Sequence, residues 1–224
     1  MKVKWSWLGV TPYAQAYDLM ASLKADIVGG RESEYLLFLE HPNVITQGKN
    51  EPDGSGLISA AEHIERAGFD LVKADRGGKT TLHNPGQLVG YLIFDLKRNK
   101  LRPKLFVELV AKTIVEVLGT YDLSAHYSAD EPGIYVNNAK IGFIGLNAQD
   151  NVTTHGFALN VRNDLKPFAH IVPCGNINQP ITSLHDLLDG HTSVYDVYWR
   201  FVTVFEHLAK CEMEEVETDD LFPA

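Results

Sequence analysis

Residues 133–161, GIYVNNAKIGFIGLNAQDNVTTHGFALNV, decide the fold class. Three short β-rich runs stand out: Ile134–Val136, Lys140–Leu146 and Thr153–Val161. Asn137-Asn138 separates the first two, and Gln149-Asp150-Asn151 the last two. Asn and Asp tolerate the positive φ of tight hairpin turns, so the stretch reads as consecutive antiparallel strands. Further strands are expected at Lys2–Leu8, Tyr35–Leu39, Val44–Gln47, Phe69–Val72 and Leu88–Phe94. Thr11-Pro12 opens a helix with a hydroxyl cap and Gly29-Gly30 stops it; Ile58–Ala67 is a second, and Pro103 begins one reaching about Leu118. Two last helices are led by Thr182/Ser183 and by Ser193, which has Asp196 three residues on. Hairpins with helices among them predict a single α+β domain over 1–224 with a mostly antiparallel mixed sheet, not a doubly wound parallel one.

Composition agrees. The chain has 224 residues, 45% hydrophobic, which suffices for a core without disulfides or a structural metal. No run of about 18 apolar residues exists, so no membrane span is expected, and the N-terminus lacks a continuous apolar core of a signal peptide. Two cysteines, Cys174 and Cys211, fit a reducing, cytoplasmic compartment. A net charge of −9 argues against sequence-independent nucleic-acid binding. Charge is uneven. Between residues 73 and 104 lie Lys73, Arg76, Lys79, Lys97, Arg98, Lys100, Arg102 and Lys104, either a solvated face or a dock for an acidic partner. The acidic residues from about 211 to 224 read as a solvated face or a frayed tail. Neither GxGxxG nor GxxxxGK[ST] is present, nor the GxSxG of a serine hydrolase.

Three segments are richer in Gly, Pro, His and Asn than a packed core needs. In Arg76-Gly77-Gly78-Lys79-Thr80-Thr81-Leu82-His83, paired glycines permit close backbone approach to a ligand. If Lys79–His83 is a strand, Thr81 and His83 share one face. Lys140 follows a turn and precedes an apolar strand, a place that a solvated lysine also fits. Cys174 lies between Pro173 and Gly175, in a constrained loop that can present its sulfur. Cysteine is more often a buried small hydrophobe, and reactivity needs a nearby positive charge or helix N-terminus. Lys140 supplies that charge if the fold brings it close. Cys211, beside acidic residues, should have a raised pKa and no role. His83, His155, His170 and Cys174 lack metal-ligand spacing, so no metal is expected.

In order, these blocks resemble the lipoyl(octanoyl) transferase family, octanoyl-[acyl carrier protein]:protein N-octanoyltransferases. Leu39-Glu40-His41-Pro42 with Thr46 and Gly48, Arg76-Gly77-Gly78 with Thr81, His83 and Pro85–Tyr91, Lys140-Ile141 with Gly145, His155–Val161, and Pro173-Cys174-Gly175 carry the match. Leu82, Asn84, Phe143 and Asn176 depart from the usual pattern, and Leu82 and Phe143 bear on the shape of an acyl tunnel. The resemblance implies the fold of biotin and lipoate protein ligase catalytic domains. It implies Cys174 as the nucleophile that carries octanoyl as a thioester, and Lys140 as the residue that lowers its pKa. It also implies an acyl pocket lined by residues 76–83, by Phe143, Ile144 and Gly145, and by Gly156, Phe157 and Ala158.

The implied reaction moves octanoyl from acyl carrier protein to a lysine of lipoyl domains, those of 2-oxoacid dehydrogenases and the glycine cleavage H protein. It needs no cofactor, and a monomer is the default. The apolar tail is expected among Leu82, Phe143, Ile144 and Phe157, with the oxyanion held by amides near Gly175 or Gly77-Gly78. The competing readings are an ATP-dependent lipoate ligase, an amidotransferase between lipoyl-bearing proteins, and a non-catalytic acyl-binding protein.

Overall fold

Eight strands form one mixed sheet in the order β11-β1-β2-β6-β10-β9-β8-β7, and three form a second in the order β4-β3-β5. The computed structural model describes residues 1–51, 55–190 and 192–221, and for Cys174 the backbone alone. The large sheet holds β1 (Lys2–Val10), β2 (Glu34–Glu40), β6 (Gln87–Ile93), β7 (Ala125–Ser128), β8 (Gly133–Val136), β9 (Ala139–Gln149), β10 (Val152–Asn160) and β11 (Glu212–Glu215). The small sheet holds β3 (Val44–Gln47), β4 (Asp70–Lys73) and β5 (Thr80–His83). In the large sheet β1 runs parallel to β2 and β11, and every other pairing is antiparallel. The expected α+β class with a mostly antiparallel sheet is what the chain adopts.

Alternation along the central strands explains why both faces are buried. Leu36 and Phe38 of β2, Leu88 and Leu92 of β6, and Phe157 and Leu159 of β10 enter one core. Helices α3 (Pro103–Gly119) and α5 (Val194–Ala209) cover it with Phe106, Val110, Ile114, Phe201 and Phe205. Tyr35, Leu37 and Leu39 of β2, Val89, Tyr91 and Ile93 of β6, and Ala158 of β10 enter the other. Helix α1 (Tyr13–Val28) and the small sheet close that side with Leu19, Met20, Leu23, Ile45 and Leu82. Strand period thus divides one sequence between two cores.

The hairpin turns form where the Asn and Asp residues stand. Asn137 and Asn138 have φ of +49° and +64°, Asp150 and Asn151 +58° and +62°. Ser193 caps α5 by accepting the Asp196 amide at 3.0 Å, and Ser183 caps the single turn α4 (Leu184–Leu187) by accepting the Asp186 amide at 3.2 Å. Three expectations need correction. The Thr11 hydroxyl does not cap α1; it donates to Leu8 O at 2.9 Å. The helix expected over 58–67 is only α2, Ala61–Arg66. The acidic residues 212–215 pair with β1 as a parallel edge strand, with Lys2 Nζ 3.1 Å from Glu214, so that part of the chain is solvated but not frayed. Among the described residues no helix is long and apolar enough to cross a membrane.

Candidate active site

A half-open cavity lies between the large sheet and β5. Its walls are Arg76, Gly77, Gly78 and Lys79 from the loop before β5, Thr81 and His83 from β5, Val89 and Tyr91 from β6, Phe143–Gly145 from β9, His155–Ala158 from β10, and Tyr13 from α1. Twelve of the fourteen residues expected around an acyl pocket therefore converge here. Thr80 and Leu82 do not line it. They are the alternate residues of β5: Thr80 donates its amide and hydroxyl to Glu51 Oε2 at 2.8 and 2.7 Å, and Leu82 is packed in the core. Leu82 is thus not part of the cavity wall. Sequence reading missed Tyr13, Val89, Tyr91 and His155. Tyr91 and His155 lay inside motifs already quoted, and the alternation of β6 and β10 was the available signal.

Arg76 shapes the loop. It is buried, and its guanidinium donates to Thr46 O at 2.6 Å, to Thr46 Oγ1 at 2.7 Å and to Gly77 O at 3.0 Å. The Gly77 amide donates to Leu146 O at 3.2 Å, which ties the loop to β9. Gly78 turns with φ of +80°, where a side chain would be strained. The amides of Gly77 and Gly175 are already taken, by Leu146 O and Val172 O, whereas Gly78's makes no hydrogen bond among the described residues.

Pro173–Gly175 forms one turn of 3-10 helix packed against β5. The Cys174 side chain lies outside the described residues. Gly175, with φ of +84°, lies under the side chain of Lys79, which also lines the cavity. Lys140 is 1% exposed on β9; its Nζ donates to Pro132 O at 2.7 Å and sits 5.1 Å from the centre of the Phe143 ring. Its amide and carbonyl are held by Pro180 O at 2.7 Å and Thr182 N at 3.0 Å, six and eight residues beyond Cys174. Phe143 stacks on Phe168 and Phe157 on Phe201, at 5.6 and 4.6 Å between centroids, so the apolar wall is braced from behind. Cys211 lies elsewhere, and burial beside Glu206 pushes its thiol up to about 11.

The polar side chains in and behind the cavity wall are paired in order. His83 Nδ1 meets Gln87 Oε1 at 2.7 Å. His41 bridges Thr11 O and Tyr91 Oη, 2.7 Å to each. His155 Nε2 lies 2.6 Å from Asp75. That contact holds the Asp75 carboxyl below its usual range, while burial outweighs it for the imidazole and keeps His155 toward neutral. His155 also has φ of +57° within a strand, a conformation that non-glycine residues hold only where packing imposes it.

Burial lowers His41 from 6.5 to about 4. The unfolded chain therefore takes up this proton first, so the stability involved is complete above about pH 6.5 and is lost as pH falls toward 4. The displacement corresponds to about 3 kcal/mol. His83, held well below its ordinary value by burial, acts in the same direction. Urea midpoints at pH 7.5 and 5 should differ clearly in the wild type and less in His41→Gln; equal differences would contradict this.

The basic segment is divided by the structure. Arg98 is bound to the buried Glu34 carboxylate at 2.7 Å and to Arg31 O and Ser33 O. Lys97, Lys100, Arg102 and Lys104 are exposed around the loop that leads from β6 to α3.

Residues 12–206 match the lipoyl protein ligase A/B catalytic domain model. An octanoyltransferase of Solibacter usitatus is 39% identical over 206 residues, 92% of each chain, and one of Marinobacter nauticus 38% over 210 residues, 93% of this chain and 94% of the relative. The chain belongs to this octanoyltransferase family. It is an acyltransferase by that membership. Its fold is also that of a solved lipoate-protein ligase A bound with ATP (TM-score 0.79, 15% identity, 99% of this chain and 92% of that one). A biotin protein ligase from Aquifex aeolicus is more distant, at TM-score 0.51 and 10% identity over 94% of this chain and 69% of that one. At such identities these structures speak for the fold alone. The octanoyltransferase relatives, aligned across almost their whole length, are what place the chain in its family.

Proposed function

We propose that the chain transfers octanoyl from octanoyl-acyl carrier protein to a lysine ε-amine of lipoyl domains, through a thioester on Cys174. The observation that carries this reading is the convergence of the Arg76–Lys79 loop, β5, β9 and β10 on one largely apolar cavity, in a chain of the octanoyltransferase family. The cavity's apolar walls suit an eight-carbon tail. Lys79 beside Gly175, and the Gly78 amide, offer donors to a thioester carbonyl at the rim.

Cys174, as thiolate, attacks the donor carbonyl; the C–S bond to the carrier arm breaks, and the carrier thiol leaves. Lys140 stabilises the thiolate and supplies the proton to the leaving sulfur. The lipoyl-domain amine then attacks the acyl-enzyme and forms the amide. A thioester is already activated, so neither ATP nor a metal takes part. The whole chain works as one catalytic unit, a cytoplasmic monomer, and Lys97, Lys100, Arg102 and Lys104 attract the acidic carrier. Residues 212–215 belong to the large sheet of that unit.

Octanoyl-carrier protein, an apo lipoyl domain and the enzyme, without ATP, should yield octanoylated lipoyl domain. Product only with free octanoate and ATP would indicate a ligase.

A further inference from the structure

Four rings form a continuous cluster at the cavity wall, His83 against His41, His41 against Tyr91, and Tyr91 against His155, with centroids 5.6, 5.8 and 5.7 Å apart; His83 stands on β5, the strand against which the Pro173–Gly175 turn packs. The hydrogen bonds fix where their protons lie. Gln87 Nε2 donates to Asn160 Oδ1 at 2.9 Å and to Leu82 O at 3.2 Å, so Gln87 Oε1 is the atom facing His83. A carbonyl oxygen only accepts; His83 therefore carries its proton on Nδ1, and Nε2 keeps a bare lone pair. Thr11 O likewise fixes the His41 proton on Nδ1, and His41 Nε2 accepts from the Tyr91 hydroxyl. The Tyr91 oxygen is left with lone pairs alone. Among the described residues His83 Nε2 has no hydrogen-bond partner.

Two cavity-lining groups are thus acceptors without a free proton. A thioester carbonyl is itself an acceptor and gains nothing from them. An acyl tail needs neither. An amine, whose N–H groups donate, fits both. We propose that His83 and Tyr91 form the subsite for the acceptor lysine's ε-amine, and that His83 Nε2 takes the amine's proton as the amide forms. This rests on the acyl-enzyme reading above.

The neutral amine attacks the thioester carbonyl carbon, and the C–N bond forms. The nitrogen's proton passes to His83 Nε2, the C–S bond breaks, and sulfur leaves with its electron pair as thiolate. The imidazolium proton then returns to that sulfur, so thioester plus amine gives amide plus thiol. Burial keeps His83 neutral beforehand, its pKa being held well below the ordinary value by desolvation and by the neighbouring His41. A base of this kind suits the acidic ammonium of a tetrahedral adduct, not a free lysine ammonium.

The test separates the two half-reactions. Wild type, His83→Gln and Tyr91→Phe are loaded with octanoyl-carrier protein and followed by intact mass. Each acyl-enzyme is then discharged with an apo lipoyl domain or with hydroxylamine, which is unprotonated near neutral pH and needs no lysine subsite. In His83→Gln, transfer to lysine should slow by about 10²–10⁴-fold more than loading or hydroxylamine discharge does. Tyr91→Phe should raise the KM for the lipoyl domain several-fold, and by more than the KM for octanoyl-carrier protein. Lysine transfer by His83→Gln at the wild-type rate would overturn the proposal, as would an equal loss of loading and hydroxylamine discharge. If His83→Gln does not fold, an unchanged acceptor KM in Tyr91→Phe overturns it. Product formation by a wild type that never carries octanoyl would instead overturn the acyl-enzyme reading itself.

Discussion

Lys140→Met is expected to give a folded chain that takes up octanoyl about 10²–10⁴-fold more slowly. Lys140 is buried on β9, where glycine at position 133 leaves room for its side chain to lie across the neighbouring strand. Among the described residues its Nζ donates to Pro132 O at 2.7 Å, and the rings of Tyr135 and Phe143 flank it at 5.6 and 5.1 Å. An unbranched apolar chain of similar length fills that space without strain. The lost bond to Pro132 O costs about 1–3 kcal/mol, offset by no longer burying an amine. The backbone clamp to Pro180 and Thr182 is independent of the side chain. Stability should therefore change little, and acylation greatly. Urea midpoints and the rate of acyl loading measure the two separately. Loading at the wild-type rate would make Lys140 a packed structural lysine.

Gly156→Val should destabilise the chain by about 3 kcal/mol or more, enough to lose most soluble protein. Gly156 pairs with Gly145 on one side and Tyr91 on the other, at the centre of the large sheet. A Cβ there would run into Gly90 O and the Leu92 side chain. Gly90 O is backbone inside a ladder and cannot yield without moving β6. The adjoining Phe157 ring lies against Gly90 in turn. The same close approach that brings β6 and β10 to the cavity wall thus forbids a side chain. A Gly156→Val chain with the wild-type urea midpoint would contradict that packing.

The sequence is informative where local chemistry decides. Asn137-Asn138 and Asp150-Asn151 adopt left-handed backbone, Pro103 begins α3 and Ser193 caps α5, because each act involves neighbours in the chain. It is silent where distant segments decide. Nothing in Glu212–Glu215 favours a strand; its pairing with β1 comes from a partner some 200 residues away. Thr11 looks like a cap, yet Leu8 O competes successfully for its hydroxyl. At the site, the contiguous block 76–83 is legible as a motif, but a motif treats every member alike. The alternation of β5 is what separates Thr81 and His83 from Thr80 and Leu82. Tyr13 reaches the cavity from α1, a segment outside every motif quoted above.

The central claim is a covalent octanoyl-enzyme on Cys174. The direct measurement is the intact mass of the chain after mixing with octanoyl-carrier protein, without ATP and without acceptor, beside Cys174→Ala. One octanoyl adduct on the wild type, none on the variant, and its discharge by an apo lipoyl domain is the expected result. An unmodified wild type that still makes octanoylated lipoyl domain, or an adduct that persists in Cys174→Ala, would contradict the account.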